Sequence, residues 1–263
     1  MNENKRPIKI DAAFIPKEVC TAHDPVCILI DAVRASCTIA TFFDMGAREM
    51  TLVESEERYV ESHKDSMLEN DCICAENLDG SCAPLAEVSP SIEDIRKAAD
   101  YQGRRVFFRT TNGTIGVRKL GEMKVREILI GSMINCDAVA KAAVDLAMEK
   151  GMNICTVCAG REHGDIYCID DTYCAGILIQ RMEAYANSIG CPIAIQDSGK
   201  IALALVSSFG EDDEAAYCAS ASGDIMRNIH KEIDLHLCSR RNVTQVVPRV
   251  TGIDDAGNVT LTI

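Results

Sequence analysis

Three apolar runs, VCILI at 26–30, RRVFF at 104–108 and NICTV at 153–157, each stop at a short polar loop that leads into a helix-like segment. Runs that are apolar throughout, rather than alternating, are the mark of strands covered on both faces. Strands of that kind need a helix between each one and the next, which makes the sheet mainly parallel. Strand-like segments fall near 8–14, 26–31, 48–53, 71–75, 104–109, 126–131 and 153–158. Helix-like segments lie between them. The first covers 36–45 and closes at Gly46, and the second covers 91–100 and opens at SPSIED with acids in its first turn. In 136–150, Val139, Ala140, Ala143, Val144 and Ala147 form one stripe ending at Gly151, and 171–188 follows Asp170 as a candidate N-cap. The C-terminal third reads differently. Residues 198–235 are largely helical, and 243–263 form a hairpin turning at Asp254–Asn258, with Pro248 suited to an edge strand. The expected fold is α/β, layered α/β/α, with a mainly parallel or mixed central sheet, a C-terminal helical segment and a β-hairpin. With no linker, repeat or low-complexity stretch, the chain reads as a single domain over 1–263; two lobes of about 1–180 and 181–263 are the alternative.

Composition narrows the class. The chain has 263 residues, 47% hydrophobic and 25% charged, which suits a globular protein with a large core. It has no Trp and 5% aromatics, so the core must be aliphatic, filled out with Ala, Cys and Met. No apolar run approaches the roughly 20 residues of a membrane helix, and MNENKRPIKI lacks the apolar segment of a signal peptide. These features predict a cytoplasmic protein with no membrane partner. A net charge of −13 argues against nucleic acid as a partner. It does not exclude a small anion, because a local arginine cluster or a bound cation reverses the field inside one cleft. The 14 cysteines are expected to be structural thiols, and Cys27, Cys37, Cys155 and Cys174 lie in apolar stretches. The pair Cys155 and Cys158 has zinc or redox spacing, but three residues apart on a strand the two side chains point to opposite faces. Cys72 and Cys74 share a strand face, yet no histidine pair at zinc spacing follows them.

The polar loops carry the chemistry. They are DAVRASCT at 31–38, RTTNGT at 109–114 and CAGREHGDIYCIDDT at 158–172. Ligands bind open α/β sheets at the carboxyl ends of the strands, where these loops stand. Together they hold the carboxylates Asp31, Asp170 and Asp171 and the guanidinium groups Arg34, Arg109 and Arg161, with hydroxyls and glycines. These are the groups needed to hold a divalent cation and a phosphate together. Thr110, Thr111, Asn112, Gly113 and Thr114 enter a helix, whose exposed N–H groups and dipole favour an anion; an ordinary capped turn uses the same residue types. Asp31 can ligate a cation and Arg34 can clamp two phosphate oxygens, whereas in isolation the pair is a local ion pair capping a helix. Asp170 and Asp171 are either first-turn acids that answer the helix dipole or Mg²⁺ ligands. Glu162 and His163 follow Arg161, and His163 reads as a solvated loop residue ahead of a catalytic base.

The same loops resemble the 2-phosphosulfolactate phosphatase family, the ComB-like proteins. The resemblance rests on DAVRASCTI at 31–39, TTNGT at 110–114, CAGR at 158–161 and DDTYCAG at 170–176, in the family's order and spacing. A weaker echo continues in SGKIAL at 198–203 and VVPRV at 246–250. In the segment CAENLDGSCAPLAEVSPSIED at 74–94, Glu76 and Ser89–Pro90 match the family, while its Gly-Glu-Arg-Gly arginine and its Gly-Phe-Asp element are missing. The resemblance implies a Mg²⁺-dependent α/β phosphatase that converts 2-phosphosulfolactate to sulfolactate and phosphate in coenzyme M synthesis. By the same resemblance, Asp31, Asp171, Glu76 and Asp170 hold Mg²⁺, and Asp31, Arg34 and Asp171 serve catalysis. Arg34 and residues 110–114 hold phosphoryl oxygens, while Gly160 and Arg161 face the sulfonate or carboxylate. Water polarised by the cation is the expected attacking group, with Cys158 as second candidate. The altered segment keeps two other readings open: a phosphatase for another small phosphorylated hydroxy acid, and a non-catalytic anion-binding protein. The expected partner is a small anionic substrate, with a homo-oligomer as a further expectation.

Overall fold

The structure, a computed structural model, describes residues 6–63, 67, 70–98, 100–210 and 212–263. Its elements run β1 (Ile8–Ala13), β2 (Pro25–Ile30), α1 (Ala35–Asp44), β3 (Glu49–Leu52), α2 (Glu56–His63), β4 (Cys72–Ala75), α3 (Ile92–Ala98), β5 (Arg105–Arg109), α4 (Gly113–Glu122), β6 (Glu127–Ile130) and α5 (Cys136–Lys150). They continue with β7 (Asn153–Cys158), α6 (Ile169–Ser188), β8 (Ile193–Ile195), α7 (Asp197–Ser208), α8 (Asp213–Cys218), α9 (Ala221–Asn228), α10 (Glu232–Ser239), β9 (Arg249–Ile253) and β10 (Val259–Thr262). Each expected strand forms, as do the helices after Asp31, after the TTNGT loop and after Asp170. Gly46 and Gly151 take the positive φ expected where α1 and α5 end, at +91° and +67°. Of the stretches read above, residues 1–5, 99 and 211 lie outside the described residues. Among the described residues, no helix is long and apolar enough to cross a membrane.

One mixed sheet has the order β4-β5-β3-β10-β9-β6-β2-β7-β1-β8. β6, β2, β7, β1 and β8 form a parallel half, and β4, β5 and β3 a second parallel half. The C-terminal hairpin β9–β10 lies between the halves, with β10 antiparallel to β3 and β9 antiparallel to β6. Its turn sits where the sequence puts it, with Asp254 N–H donating to Asn258 O at 3.0 Å. Pro248 corrects the edge-strand expectation. It precedes β9 in the middle of the sheet, and Ile130 N–H donates to its carbonyl at 2.9 Å. Proline lacks only a donor, and the pairing here asks only for its acceptor. The short strand β8 and the charged helix α2 carry too little periodicity to be read in advance.

Both faces of the sheet are covered. Val26, Ile28 and Ile30 of β2 pack in one core with Val139, Val144 and Leu178, while Cys27 and Leu29 pack in the other with Phe42, Phe108 and Val117. β7 divides in the same way, so Cys158 and Cys155 sit in different cores and form no half-site. No disulfide forms among the described residues.

Gly176, in the DDTYCAG motif, serves packing. A Cβ there would stand 2.5 Å from Ala202 O and 2.6 Å from Val206 Cγ2, so α6 and α7 approach as closely as a bare backbone allows. Overpacked substitutions cost about 1–3 kcal/mol, so Gly176→Ala is expected to lower Tm by roughly 5 °C. A melting curve checks this, and an unchanged Tm would mean that α7 yields freely.

Candidate active site

The carboxyl ends of β2 and β7 meet those of β4 and β5, and the predicted loops converge there. Asp31 is the first residue beyond β2. Its N–H donates to Ser36 Oγ at 2.9 Å, Ser36 N–H donates back to Asp31 O at 2.9 Å, and Thr110 Oγ1 reaches Asp31 Oδ2 at 3.5 Å. Asp171, in the first turn of α6, binds two loops at once. Its Oδ1 accepts Ala32 N–H at 2.8 Å and its Oδ2 accepts Gly160 N–H at 3.0 Å. Gly160 is at φ +70°, and a Cβ there would lie 2.8 Å from Ile166 O, so the CAG turn requires glycine. Asp170 is not the N-cap of α6. Cys168 holds that position, without a side-chain bond, because Ile169 already begins the helix. Asp170 turns inward instead, and its Oδ1 finds no hydrogen-bond partner among the described residues.

From the other half come Glu76, one residue beyond β4, and the TTNGT loop, which runs from β5 into α4. Thr110 Oγ1 accepts Asn112 N–H at 3.2 Å and Gly113 N–H at 3.1 Å, and so holds the turn that leads into α4, whose N-cap is Asn112. Asn112 Nδ2 donates to Thr111 Oγ1 at 3.3 Å. Gly113 lets α4 close on α1: its Cβ would stand 3.0 Å from Asp31 Oδ2 and 3.2 Å from Ala35 Cβ. Thr114 Oγ1 is buried without a partner among the described residues, and so is Arg161 Nε.

Arg34 departs from its expected geometry. Its guanidinium donates to Glu76 Oε2 at 3.0 Å, to Asp234 Oδ2 at 3.2 Å and to Gly80 O at 2.6 Å. It is thus held by two carboxylates of this chain, one of them Glu76, whose charge also acts on Asp31. Asp234 and its partner Ser91, whose hydroxyl donates to Asp234 Oδ1 at 2.9 Å, were not foreseen. The available signal was an acid on the apolar stripe Asp234, Leu235 and Cys238 of α10, all buried. Arg109 does not enter the site: it is paired with Glu56. His163 and Glu162 are exposed in the loop, as expected for a solvated histidine.

The electrostatics are those of crowded, buried acids. Burial, then the charges of Glu76 and Asp170, push the Asp31 carboxyl up to about 7, against the pull of N–H groups at Ala35 and Gly113. Burial, Asp170 and Asp31 raise Asp171 well above the carboxylate range, and burial raises Asp170. Cys158, the second candidate for attack, is fully buried, and desolvation followed by the Asp171 charge pushes its thiol up, away from the thiolate a nucleophile needs. Asp31, Arg34, Asp170 and Asp171 are 8%, 3%, 1% and 3% exposed, so a substrate must displace part of the cover.

A divalent cation fits this donor set. Among the described residues no three acidic, His or Cys side chains form a ready-made cage. Mg²⁺ does not need one, because it takes one or two carboxylates and completes its shell with water and phosphate oxygens. The mutual repulsion of Asp31, Asp170 and Asp171 and the orphaned Asp170 Oδ1 are relieved by a cation.

The comparisons agree with the loops. A family model described as 2-phosphosulpholactate phosphatase matches residues 13–252. The chain is 27% identical over 235 residues to a probable 2-phosphosulfolactate phosphatase of Deinococcus radiodurans, covering 89% of this chain and 91% of that one. A protein of the same description from Thermus thermophilus is 27% identical over 231 residues, covering 88% and 90%. One from Clostridium beijerinckii is 25% identical over 252 residues, covering 92% and 96%.

Proposed function

As this chain belongs to the 2-phosphosulpholactate phosphatase family, and is with it a phosphoric monoester hydrolase, we propose that it hydrolyses 2-phosphosulfolactate to sulfolactate and inorganic phosphate with Mg²⁺ as cofactor. The observation that carries this reading is the coincidence of two features at one cleft. Three buried carboxylates raise one another's proton affinity there, and the buried polar atoms Thr114 Oγ1, Arg161 Nε and Asp170 Oδ1 have no partner among the described residues. Buried polar atoms are almost always satisfied, so orphans gathered at one cleft support a ligand as their partner.

Phosphoryl transfer needs positioning and charge neutralisation more than covalent chemistry. Asp31 and Asp171, with Asp170 beside them, would hold Mg²⁺, which when bound supplies neutralisation of the carboxylates and polarisation of the phosphoryl oxygens. The Thr114 hydroxyl and the start of α4 present donors to those oxygens. Arg161 offers its Nε to the substrate's second anionic group. Asp171 keeps the DAVR and CAG loops in register through its bonds to Ala32 and Gly160. The buried, protonated Cys158 supports water as the attacking group.

The test is phosphate release from 2-phosphosulfolactate and from a panel of phosphorylated hydroxy acids, in Mg²⁺ and in EDTA. Turnover of phosphosulfolactate that disappears in EDTA is expected. Turnover of another panel member alone would keep the phosphatase and replace the substrate. EDTA-resistant turnover would remove the cation.

A further inference from the structure

Arg34 is held by two carboxylates that are themselves held in different ways. Asp234 belongs to α10, is fully buried, and has its second oxygen fastened by the Ser91 hydroxyl at 2.9 Å. The Glu76 side chain is 14% exposed. Among the described residues its second oxygen meets only the N–H and the hydroxyl of Thr111, at 3.5 and 3.4 Å, the far limit of a hydrogen bond. Those Thr111 donors belong to the loop assigned to phosphate above. The Glu76 carboxylate therefore bridges guanidinium and anion loop, the span a phosphoryl group has to occupy. Beyond Glu76 the chain makes an exposed turn with bonds of its own, Asn77 N–H to Ser81 O at 2.8 Å and Gly80 N–H to Asn77 O at 2.9 Å. Leu78 at its tip is 85% exposed. Gly80 at its base is buried and faces Ile225 of α9 and Ile229 just beyond it, so the turn stays in place and only the Glu76 side chain has to swing out.

We propose that Glu76 is a built-in occupant of the anion seat, displaced by the substrate phosphoryl group, while Asp234 is the fixed partner that keeps Arg34 aimed at that seat. This rests on the reading of residues 110–114 and Arg34 as the phosphate site. Glu76 then sets the affinity of the seat for anions, and Asp234 is a positioning residue. A seated carboxylate lowers the apparent affinity for every anion by the fraction of molecules it closes. A ligand too weak to offset that reduction leaves the seat closed at working concentration, whereas a phosphoryl dianion, which makes stronger charge-assisted bonds to Arg34 and Thr111, opens it.

The two carboxylates thus predict opposite signs. Calorimetry with inorganic phosphate, in Mg²⁺, is run on the full chain and on Glu76→Gln, Asp234→Asn and Asp79→Asn. Glu76→Gln is expected to bind phosphate about tenfold more tightly, the equivalent of one charge-assisted hydrogen bond no longer given up. Asp234→Asn is expected to bind about tenfold more weakly, for the same bond lost from the holder of Arg34. Asp79→Asn, which removes a charge from the same turn without touching Arg34, is expected to leave binding unchanged. Should Asp234→Asn fail to fold, Ser91→Ala removes the anchor alone and must weaken binding in the same direction. Unchanged or weaker binding in Glu76→Gln overturns the proposal, as does a shift of Glu76→Gln and Asp234→Asn in one direction. So does the absence of phosphate binding in the unmutated protein and Glu76→Gln alike. Opposite shifts with no phosphate released from any phosphomonoester would uphold the seat and overturn the catalytic reading alone.

Discussion

Replacing Asp31 with Asn is expected to take phosphate release to background and, in EDTA at pH 7.5, to raise the melting temperature. The two effects share one cause. Asp31 is buried among Glu76 and Asp170, and its carboxyl is pushed up from 3.8 to about 7. Its proton affinity is higher in the folded state, so it adds stability below pH 3.8, and this is lost as pH rises through about 7. At pH 7.5 the metal-free protein carries the whole penalty of a buried charge, and Asn carries none while still accepting the Thr110 hydroxyl. The gain is expected at roughly 2 kcal/mol, or about 4–8 °C, growing between pH 4 and 7.5 and vanishing in acid. The loss of turnover is expected at about 10³-fold, the several kcal/mol that a bound cation contributes. Phosphate assays and melts across that pH range check both halves. Full turnover in the variant would take Asp31 out of the site, and a fall in Tm at pH 7.5 would show that its charge is compensated in the fold.

Arg34→Met is expected to be the most destabilising substitution in the cleft. Methionine fills much of the arginine's length but leaves Asp234 and Glu76 facing each other without their shared cation, and Asp234 is fully buried. Removing one partner of a buried ion pair costs about 3–5 kcal/mol, which corresponds to a Tm roughly 10 °C lower. The double variant Arg34→Met/Asp234→Asn should recover a large part of that loss, because it removes the stranded charge. Urea or thermal unfolding of both variants decides the matter. A single variant within about 1 kcal/mol of the parent would show that water reaches the pair, as it does for exposed ion pairs.

Most of the sheet was legible in the chain because buried parallel strands write themselves as unbroken apolar runs: VCILI, RRVFF and NICTV became β2, β5 and β7. The loop motifs were legible as well, because local chemistry chooses their residues. Gly160 must adopt positive φ, Thr110 binds the first N–H of α4, and two acids stand in the first turn of α6. Pro248 lies away from the edge that its type suggests for a different reason. The sequence shows that 249–262 pair with each other, but which strands flank them is a long-range choice made by the closing of the sheet. Asp170 reads equally as a first-turn acid and as a cation ligand, because an acid there satisfies the dipole cheaply, and only packing decides that its side chain turns inward.

What the sequence determined by itself is the kind of fold, the family and the loops that hold the chemistry, since each depends on residues close together in the chain. What only the tertiary structure decided is who partners whom. Arg34 reads as a phosphate clamp beside Asp31, but residues 42 and 200 positions away supply the carboxylates that hold it. Burial raised the proton affinity of Asp31 and kept Cys158 a thiol, and burial is a property of the assembled core, where desolvation penalises charge.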